Sequence, residues 1–401
     1  SSDLVKGVLP IVQEAAKSGI RRVVVPGENA MEAAVIPGIT VWGVNCLNDL
    51  LAALNHPELE TEKVYQPRIR AEDLLREGTG QDTGDFREVA GQENAKRGAE
   101  IAAAGFHNLL MIGPPGVGKS MVAGRIPGIL PPLTLKESLE VTGIFSVAGL
   151  LPPGQALITR RPFYAPHHTV TQAALIGGGS GIPRPGMVSL AHRGVLFLDE
   201  LPEFRKNVLD GMRQPMEERK VQIARSAGMV TYPSDFILVA AMNPCPCGYY
   251  PDRNKCRCTQ PQIEKYLGKI SGPILDRIDL CVELHPVDIL HLQKTKTEKS
   301  SEDMKRQIRH ARERQAERFA GTDCRFNGDI RSAQVEEYCP LGEEGQKVME
   351  QLYRTLQLSA RVYHRILKTA RTIADLEDRE EITGEHLLEA ACYRPSETYW
   401  N

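Results

Sequence analysis

The pattern of apolar and polar residues divides the chain into regions of different texture. Residues 1–58 alternate amphipathic stretches such as "LPIVQEAAKSG" with short apolar runs such as "ITVWGV", which indicates an α/β fragment. Residues 59–88 are polar and carry Pro, Gly and charge, so they predict a linker. Residues 89–290 contain short aliphatic runs between helical patterns and Gly/Pro loops, which predicts a parallel α/β sheet. In residues 291–401 apolar positions recur at helical spacing, which predicts a helical tail.

The composition is that of a soluble globular protein. Of 401 residues, 41% are hydrophobic and 25% charged, and the net charge is −2, so contact with nucleic acid requires local patches. No apolar run reaches about 18 residues, so we expect no membrane span. The first residues do not read as a secretory signal, and nine cysteines without one favour a cytoplasmic location. Because the chain starts without Met, we expect it to be part of a longer protein.

A glycine-rich loop follows a predicted strand in "HNLLMIGPPGVGKSMVAGRI". It fits the spacing G-x-x-x-x-G-K-[ST] between a strand and a helix, the context that a phosphate-binding loop requires. Its glycines let backbone N–H groups surround phosphates beside the positive end of the helix. Lys119 would place a charge on the β- and γ-phosphates, and the Ser120 hydroxyl would bind Mg²⁺. The predicted nucleotide-binding residues of the loop are Gly113, Pro114, Pro115, Gly116, Val117, Gly118, Lys119 and Ser120.

A second apolar strand, in "GVLFLDE", ends in two carboxylates. Asp199 would hold Mg²⁺, largely through water, and Glu200 would polarise the attacking water. A buried strand followed by an acidic helix cap would give the same pattern, but its pairing with the glycine-rich loop favours catalysis. The sequence therefore predicts ATP hydrolysis.

The chain resembles the AAA+ ATPases of the magnesium-chelatase-like group, and within them the bacterial ComM/YifB family. The resemblance covers essentially the whole chain. It is carried by "DFREVAGQENAKRGAEIAAAGFHNLLMIGPPGVGKS", "FYAPHHTVTQAALIGGG", "LAHRGVLFLDELPEF", "AAMNPCPCG", "ILDRIDL" and "LSARVYHRILKTARTIADLE". It implies a P-loop αβα core with a parallel sheet, a helical C-terminal lid, and an N-terminal fragment of a Lon-protease-like domain.

The resemblance also implies roles for single residues. Asn243 would end the strand beside the phosphate-loop strand and sense the γ-phosphate. Arg277 would be an arginine finger that acts on ATP bound by the neighbouring subunit. Arg361 resembles the second sensor, on a lid that would close over the nucleotide. The segment "EVAGQ" resembles the one that packs against adenine, with Val89, Gly91 and Gln92 as its contacts.

Further segments correspond to additions that the family makes to its core. The Gly/Pro-rich residues from about 130 to 193 resemble an insertion in the second helix. Its adjacent His167 and His168 are interpreted as loop-packing or hydrogen-bonding groups, with metal ligation as the alternative. Residues 218–234 alternate around a "SAG" turn and predict a β-hairpin, on which Lys220 and Arg225 are DNA-contact candidates or simply solvated side chains. The basic stretch "KRQIRHARERQAERF" is interpreted as a solvated lid helix, with phosphate-backbone contact as its alternative.

The N-terminal fragment resembles the C-terminal half of a Lon-protease-like domain. A Lon-type site needs a serine activated by a lysine, and Leu9 stands where the family's lysine is expected. The nucleophile region is not in this sequence, so we predict no proteolysis. With half of that domain missing, we expect poor order or non-native packing in residues 1–58.

Four of the nine cysteines lie within the 16 residues of "NPCPCGYYPDRNKCRC", directly after the strand that ends at Asn243. Four thiolates from one short loop can form a closed tetrahedral Zn²⁺ site with a structural role. Free or redox-active thiols are the alternative. The spacing is C-x-C-x8-C-x-C, and the predicted ligands are Cys245, Cys247, Cys256 and Cys258.

Two functions from different classes follow from the resemblance. The first is a homohexameric, ATP-driven motor on single-stranded or branched DNA, for branch migration or unwinding in homologous recombination or transformation. The second is a magnesium-chelatase-like ATPase that remodels a partner protein. An inert nucleotide-binding module remains as a third possibility. ATP, Mg²⁺ and a structural Zn²⁺ are the expected cofactors.

Overall fold

A computed structural model describes most of the chain. The described residues are 4–56, 63–78, 84–152, 154–179, 183–225, 228–286, 299–394 and 399, without the side chains of Glu77 and Arg225. The predicted boundary between the central region and the tail, at residue 290, lies outside these ranges. None of the helices described is long and apolar enough to cross a membrane.

Residues 4–56 form a small α/β unit. Two parallel strands pair with Val24 opposite Trp42. Leu9 and Val12 are buried in a core that also contains Ala156 and Leu157 of the central region. Of the two expected outcomes, poor order or non-native packing, the structure does not show poor order in residues 4–56, which form regular elements packed on the central region. The elements are α1 (Val8–Lys17), β1 (Arg22–Pro26), α2 (Ala30–Ala33), β2 (Thr40–Val44) and α3 (Leu47–Asn55).

A buried carboxylate fixes the N-terminal unit to the central region. Glu32 accepts hydrogen bonds from the backbone N–H of Leu9 at 3.1 Å and from Asn29 Nδ2 at 3.1 Å. It also contacts the hydroxyl of Ser146. A buried carboxylate is stable only when it is hydrogen-bonded, so this docking is specific. The side chain of Leu9, where a Lon-type lysine was expected, is 1% exposed and apolar.

The predicted linker contains regular structure of its own. Tyr65 pairs with Gly43 of β2 through backbone hydrogen bonds of 2.9 and 2.8 Å. Helix α4 (Ala71–Glu77) follows. Of the predicted linker, residues 59–62 and 79–83 lie outside the described part.

The central region contains the main sheet. Its first elements are α5 (Glu93–Gly105), β3 (Leu109–Ile112), α6 (Lys119–Ile129), α7 (Leu135–Ala148), β4 (Phe163–Tyr164), α8 (Gln172–Ile176), β5 (Gly177–Gly178), β6 (Arg184–Pro185) and α9 (Met187–Leu190). The others are β7 (Val195–Leu198), α10 (Lys206–Gly211), α11 (Arg213–Glu218), β8 (Lys220–Arg225), β9 (Gly228–Pro233), β10 (Ile237–Met242), α12 (Gln260–Leu267), α13 (Gly272–Leu275) and β11 (Leu280–Glu283).

Five parallel strands form this sheet in the order β11-β3-β10-β7-β4. Strand β10 lies between β3 and β7, with Val239 opposite both Leu109 and Phe197. Side chains of β3 alternate between two apolar cores, as a strand covered on both faces requires. Leu109 and Met111 enter one core, and Leu110 and Ile112 enter the other. The predicted parallel α/β core is confirmed.

The Gly/Pro-rich segment 130–193 does more than extend a helix. It contains α7 and also β4, whose two residues pair with Val195 and Leu196 of β7 and form one edge of the sheet. It also contains the short antiparallel pair β5–β6, which α9 follows. After β7, the hairpin β8–β9 pairs Val221 with Tyr232.

The tail is helical and packs on the central region. Its helices are α14 (Ser301–Arg318), α15 (Val335–Tyr338), α16 (Glu343–Thr355), α17 (Ala360–Leu376) and α18 (Gly384–Cys392). Ile308 and Ala311 of α14 are fully buried in one core with α5. Two of the basic side chains of α14, Arg306 and Arg309, are exposed, whereas Lys305, Arg312, Arg314 and Arg318 are partly buried. The basic stretch is therefore a helix with one buried face.

Candidate functional site

The glycine-rich loop has the backbone that only glycine adopts easily. Gly116 and Gly118 have φ angles of 79° and 93°, in the left-handed region. A Cβ on Gly113 would lie 2.6 Å from the carbonyl oxygen of Leu284, so the chain after β11 closes against the loop. Helix α6 begins at Lys119, directly behind these glycines. The loop is therefore an open cradle at the positive end of a helix, which suits phosphate.

Lys119 is held at the mouth of this loop. Its Nζ donates to the carbonyl oxygens of Gly113 at 2.6 Å and Pro114 at 3.0 Å. It also donates to Asn243 Oδ1 at 3.0 Å. Burial lowers the pKa of Lys119, and the nearby carboxylates of Asp199 and Glu200 oppose that shift. Asn243 follows β10 and β10 pairs with β3, so the sheet brings the loop lysine and this amide together.

The end of β7 brings an acidic pair to the same place. Ser120 Oγ donates to Asp199 Oδ2 at 2.9 Å, so a hydroxyl and a carboxylate converge as hard oxygen ligands suited to Mg²⁺. Glu200 has a left-handed backbone, with φ of 52°, and its N–H donates to Asp199 Oδ1 at 2.9 Å. The Glu200 side chain is 54% exposed.

His168, interpreted from the sequence as a loop-packing or hydrogen-bonding group, lies against Glu200 in the structure. His168 Nδ1 lies 3.0 Å from Glu200 Oε2. The ring of His167 lies on one side, with its centroid 4.1 Å away, and the edge of Phe204 lies at 6.5 Å. His168 follows β4 at the carboxyl end of the sheet, where Lys119 and Asn243 also lie. That strand position was the available signal for His168.

This contact gives a prediction. His168→Ala should lower kcat for ATP about ten- to a hundredfold with little change in KM, because a charge-assisted hydrogen bond that orients Glu200 is lost. His168→Asn, which keeps a donor, should recover part of the loss. His167→Ala is the matched control, since His167 hydrogen-bonds Thr169 at 2.9 Å and does not contact Glu200. Equal kcat losses in the two alanine variants would contradict a specific role for His168.

The segment expected to contact adenine lies beside the loop. Gln92 Nε2 donates to the carbonyl oxygen of Val117 at 3.2 Å and to that of His285 at 2.7 Å. Gly91 has φ of 62°, and Val89 is buried beneath it at 2% exposure. Gln92 therefore connects this segment to the phosphate loop and to the chain after β11.

Arg277 lies at the opposite end of the sheet. Asn108, the residue before β3, donates from Nδ2 to the carbonyl oxygen of Arg277 at 2.8 Å. The extended chain from Asn108 to Gly113 spans about 16 Å at ~3.3 Å per residue. The Arg277 guanidinium forms an ion pair with Glu217 of α11. Burial and the neighbouring Arg361 and Arg213 lower the pKa of Arg277.

Arg361 lies at the same amino edge. It is the second residue of α17, its guanidinium pairs with Asp276, and its side chain is 61% exposed. Neither Arg277 nor Arg361 joins Lys119 in one site within this chain. The start of α17 therefore lies near the amino ends of the strands, and the role of Arg361 as a second sensor stays a prediction.

The four cysteines after Asn243 converge. Their sulfur atoms all lie within 4.8 Å of one another. Cys245 Sγ is 3.4 Å from Cys247 Sγ and 3.8 Å from Cys256 Sγ, and Cys247 Sγ is 3.6 Å from Cys256 Sγ. Tetrahedral Zn–S bonds of about 2.3 Å would place sulfurs about 3.8 Å apart, so these residues fit Zn²⁺. Burial opposes the shift, but hydrogen bonds, led by that from the Tyr249 N–H, lower the pKa of Cys247 to about 6.

Of the two basic candidates on the hairpin, the structure describes the side chain of Lys220. Lys220 is exposed at its base, opposite Pro233, and the side chain of Arg225 lies outside the described part. Ile223 and Tyr232 pack inward. The outward side chains described on the two strands beyond Lys220 are uncharged, namely Gln222, Ala224, Met229 and Thr231.

The chain was compared with known families and proteins. Residues 85–292 match the family described as magnesium chelatase, subunit ChlI, and residues 298–394 match its C-terminal family. The chain is 42% identical over 392 residues to the YifB protein of Salmonella typhimurium, across 97% of this chain and 74% of the relative. It is 40% identical over 399 residues to competence protein ComM of Haemophilus influenzae, with the same coverage.

A weaker relative is the magnesium-chelatase 67 kDa subunit of Chlorobaculum parvum. It is 25% identical over 241 residues, which is 55% of this chain and 34% of that subunit. The family matches together cover the phosphate loop, the acidic pair, the cysteine loop and the helical tail. The chain therefore belongs to the magnesium chelatase ChlI family of AAA+ ATPases, together with the YifB and ComM proteins.

Proposed function

We propose that this chain is one subunit of a hexameric ring in the cytoplasm that hydrolyses ATP to move single-stranded or branched DNA. Its task would be branch migration or unwinding in recombination or transformation. The proposal of a ring rests on the distance between two groups of residues that one ATP site needs, the phosphate-binding residues and the arginines. Lys119 and Glu200 lie at the carboxyl edge of the sheet, while Arg277 and Arg361 lie at the amino edge. One chain cannot complete its own site, but a ring of identical subunits joins each carboxyl edge to a neighbour's amino edge.

Each group then has a defined task. Lys119 binds the β- and γ-phosphates, while Ser120 and Asp199 would hold the Mg²⁺ that balances their charge. Glu200 accepts a proton from the attacking water, and Asn243 orients that water or the γ-phosphate. In a ring, Arg277 of the next subunit leaves its ion pair with Glu217 and binds the transferred phosphoryl group. The guanidinium is already charged and partly desolvated, so the exchange needs only a small movement.

DNA is the favoured substrate because the similarity to ComM extends over 97% of the chain, whereas that to the chelatase subunit covers 55%. ComM is named a competence protein, and we extend a DNA-related role to this chain as a proposal. The net charge of −2 gives no general attraction to DNA, so binding would depend on local groups such as Lys220.

The test is ATP turnover with and without single-stranded and forked DNA, at fixed salt, on protein whose mass is measured by light scattering. The proposal expects a hexamer and a several-fold rise in kcat with DNA. A hexamer whose turnover does not respond to either DNA would contradict the motor. It would instead favour the second candidate, an ATPase that remodels a partner protein, for which the ChlI family match is the supporting observation.

A further inference from the structure

The cysteine loop packs directly against the phosphate loop. A Cβ added to Gly248 would lie 2.6 Å from Cδ and 3.0 Å from Cγ of Pro115. Gly248 has φ of 87°, and its N–H donates to the carbonyl oxygen of Cys245 at 3.0 Å. The bare backbone of the cysteine loop therefore lies on the proline ring, with no room for a side chain between them.

The same short segment touches the phosphate loop at a second point. Asn243 Oδ1 accepts a hydrogen bond from Lys119 Nζ at 3.0 Å. Cys245, between the two contacts, is fully buried in one apolar core with Ile112, the last residue of β3. Residues 243–248 thus support the phosphate loop at Pro115 and at Lys119, and Cys245 anchors them to the sheet.

The position of this segment depends on the second pair of cysteines. The sulfur atoms of Cys245 and Cys247 lie against those of Cys256 and Cys258, as free thiols without disulfides. A metal bound by all four thiolates would tie the two halves of the loop together and fix Gly248, which directly follows Cys247. Four reduced thiols without a metal supply no comparable constraint, because thiol hydrogen bonds are weak.

We propose that the metal-bound cysteine loop is a support for the phosphate loop, so that Zn²⁺ and nucleotide each strengthen the binding of the other. Coupling between two binding sites is reciprocal, and typical coupling changes affinity about 5- to 150-fold. The contacts with Pro115 and Lys119 carry this coupling. This coupling rests on the proposed ATP site and does not depend on DNA as the substrate. The coupling and the DNA motor can therefore fail independently of each other.

The first experiment measures binding rather than turnover. The Kd of a fluorescent ATP analogue is compared for protein with one Zn²⁺ per chain and for protein stripped by a chelator, with circular dichroism to verify folding. We expect a Kd at least about fivefold weaker without metal. In the reverse direction, a non-hydrolysable ATP analogue should slow Zn²⁺ release to a chromogenic chelator. Equal Kd values in both preparations, or a chain that binds no Zn²⁺, would overturn the proposal.

The second experiment leaves the metal in place. Gly248→Ala forces a methyl group into Pro115 and should weaken binding of the ATP analogue several-fold at unchanged Zn²⁺ content. Gly321→Ala is the matched control, because Gly321 has a similar φ of 78° but no neighbour within 4 Å of a Cβ. The two variants share the backbone strain, so only the contact differs. Equal nucleotide affinities would contradict coupling through Pro115.

If Gly248→Ala loses its metal or does not fold, a third variant still tests whether the coupling passes through Pro115. Pro115→Ala removes the proline ring from the contact without adding bulk. If the coupling passes through this contact, removal of Zn²⁺ should change the nucleotide Kd less in Pro115→Ala than in the wild type. A metal effect of undiminished size in this variant would overturn the proposed route.

Discussion

Glu200→Gln should bind ATP normally and lower kcat by about 10²–10⁴, the range typical for loss of a general base. The amide keeps the size of the carboxylate and can still accept a hydrogen bond from His168. It cannot accept a proton from water at neutral pH. The phosphate contacts of Lys119 and the oxygen ligands for Mg²⁺ remain in place, so affinity should not change. Fluorescent-nucleotide binding and single-turnover hydrolysis separate the two effects.

The control is Glu203→Gln, in the same acidic segment. Glu203 is similarly exposed but pairs with Lys269 at 2.9 Å, away from the phosphate loop. Its kcat should stay within about twofold of the wild type, since an exposed ion pair contributes little. If Glu200→Gln hydrolysed ATP at a near-normal rate, the base would have to be another group, and the role of His168 would lose its basis.

The phosphate half of the site could be predicted because two rules combine. Strand-end residues follow apolar runs that are visible in the sequence, and parallel strands bring their carboxyl ends to one edge. Lys119, Asp199 and Asn243 each follow such a run, so their convergence required only the order of the strands. His168 was not predicted as a residue of the site, because the strand before it, β4, has two residues. These are too few to show the alternation of a strand within a Gly/Pro-rich segment.

The arginine half could not be placed in the same way. The sequence shows that Arg361 lies on a helix, since apolar residues recur through α17. Helical periodicity gives the buried face but not the direction in which a helix crosses its neighbours. The docking of residues 4–56 could not be predicted for a similar reason. Glu32 and Ser146 are 114 residues apart, and no local sequence pattern indicates that they meet. Contacts between polar side chains that are far apart in sequence depend on the tertiary structure, which leaves no local pattern in the sequence.

Arg277→Ala should leave ATP binding intact and lower kcat by roughly 10³ or more, as loss of an arginine finger does in well-studied GTPases. The reason is the distance between Arg277 and the phosphate loop of its own chain, which leaves a neighbour's nucleotide as its target. Arg354→Ala is the control for removal of a surface arginine, because Arg354 is 82% exposed and forms only a helical pair with Glu350. Its kcat should be unchanged.

Mixing two inactive variants tests whether Arg277 acts between subunits. Lys119→Ala removes the phosphate half and keeps Arg277, while Arg277→Ala does the reverse. In a mixed ring, a subunit with an intact phosphate loop can lie beside a subunit with an intact arginine, so some complete sites form again. Turnover should therefore recover to a fraction of the wild-type rate and peak near equal proportions. Activity that stays at the level of the separate variants, although mixed rings form, would place Arg277 outside the neighbour's site.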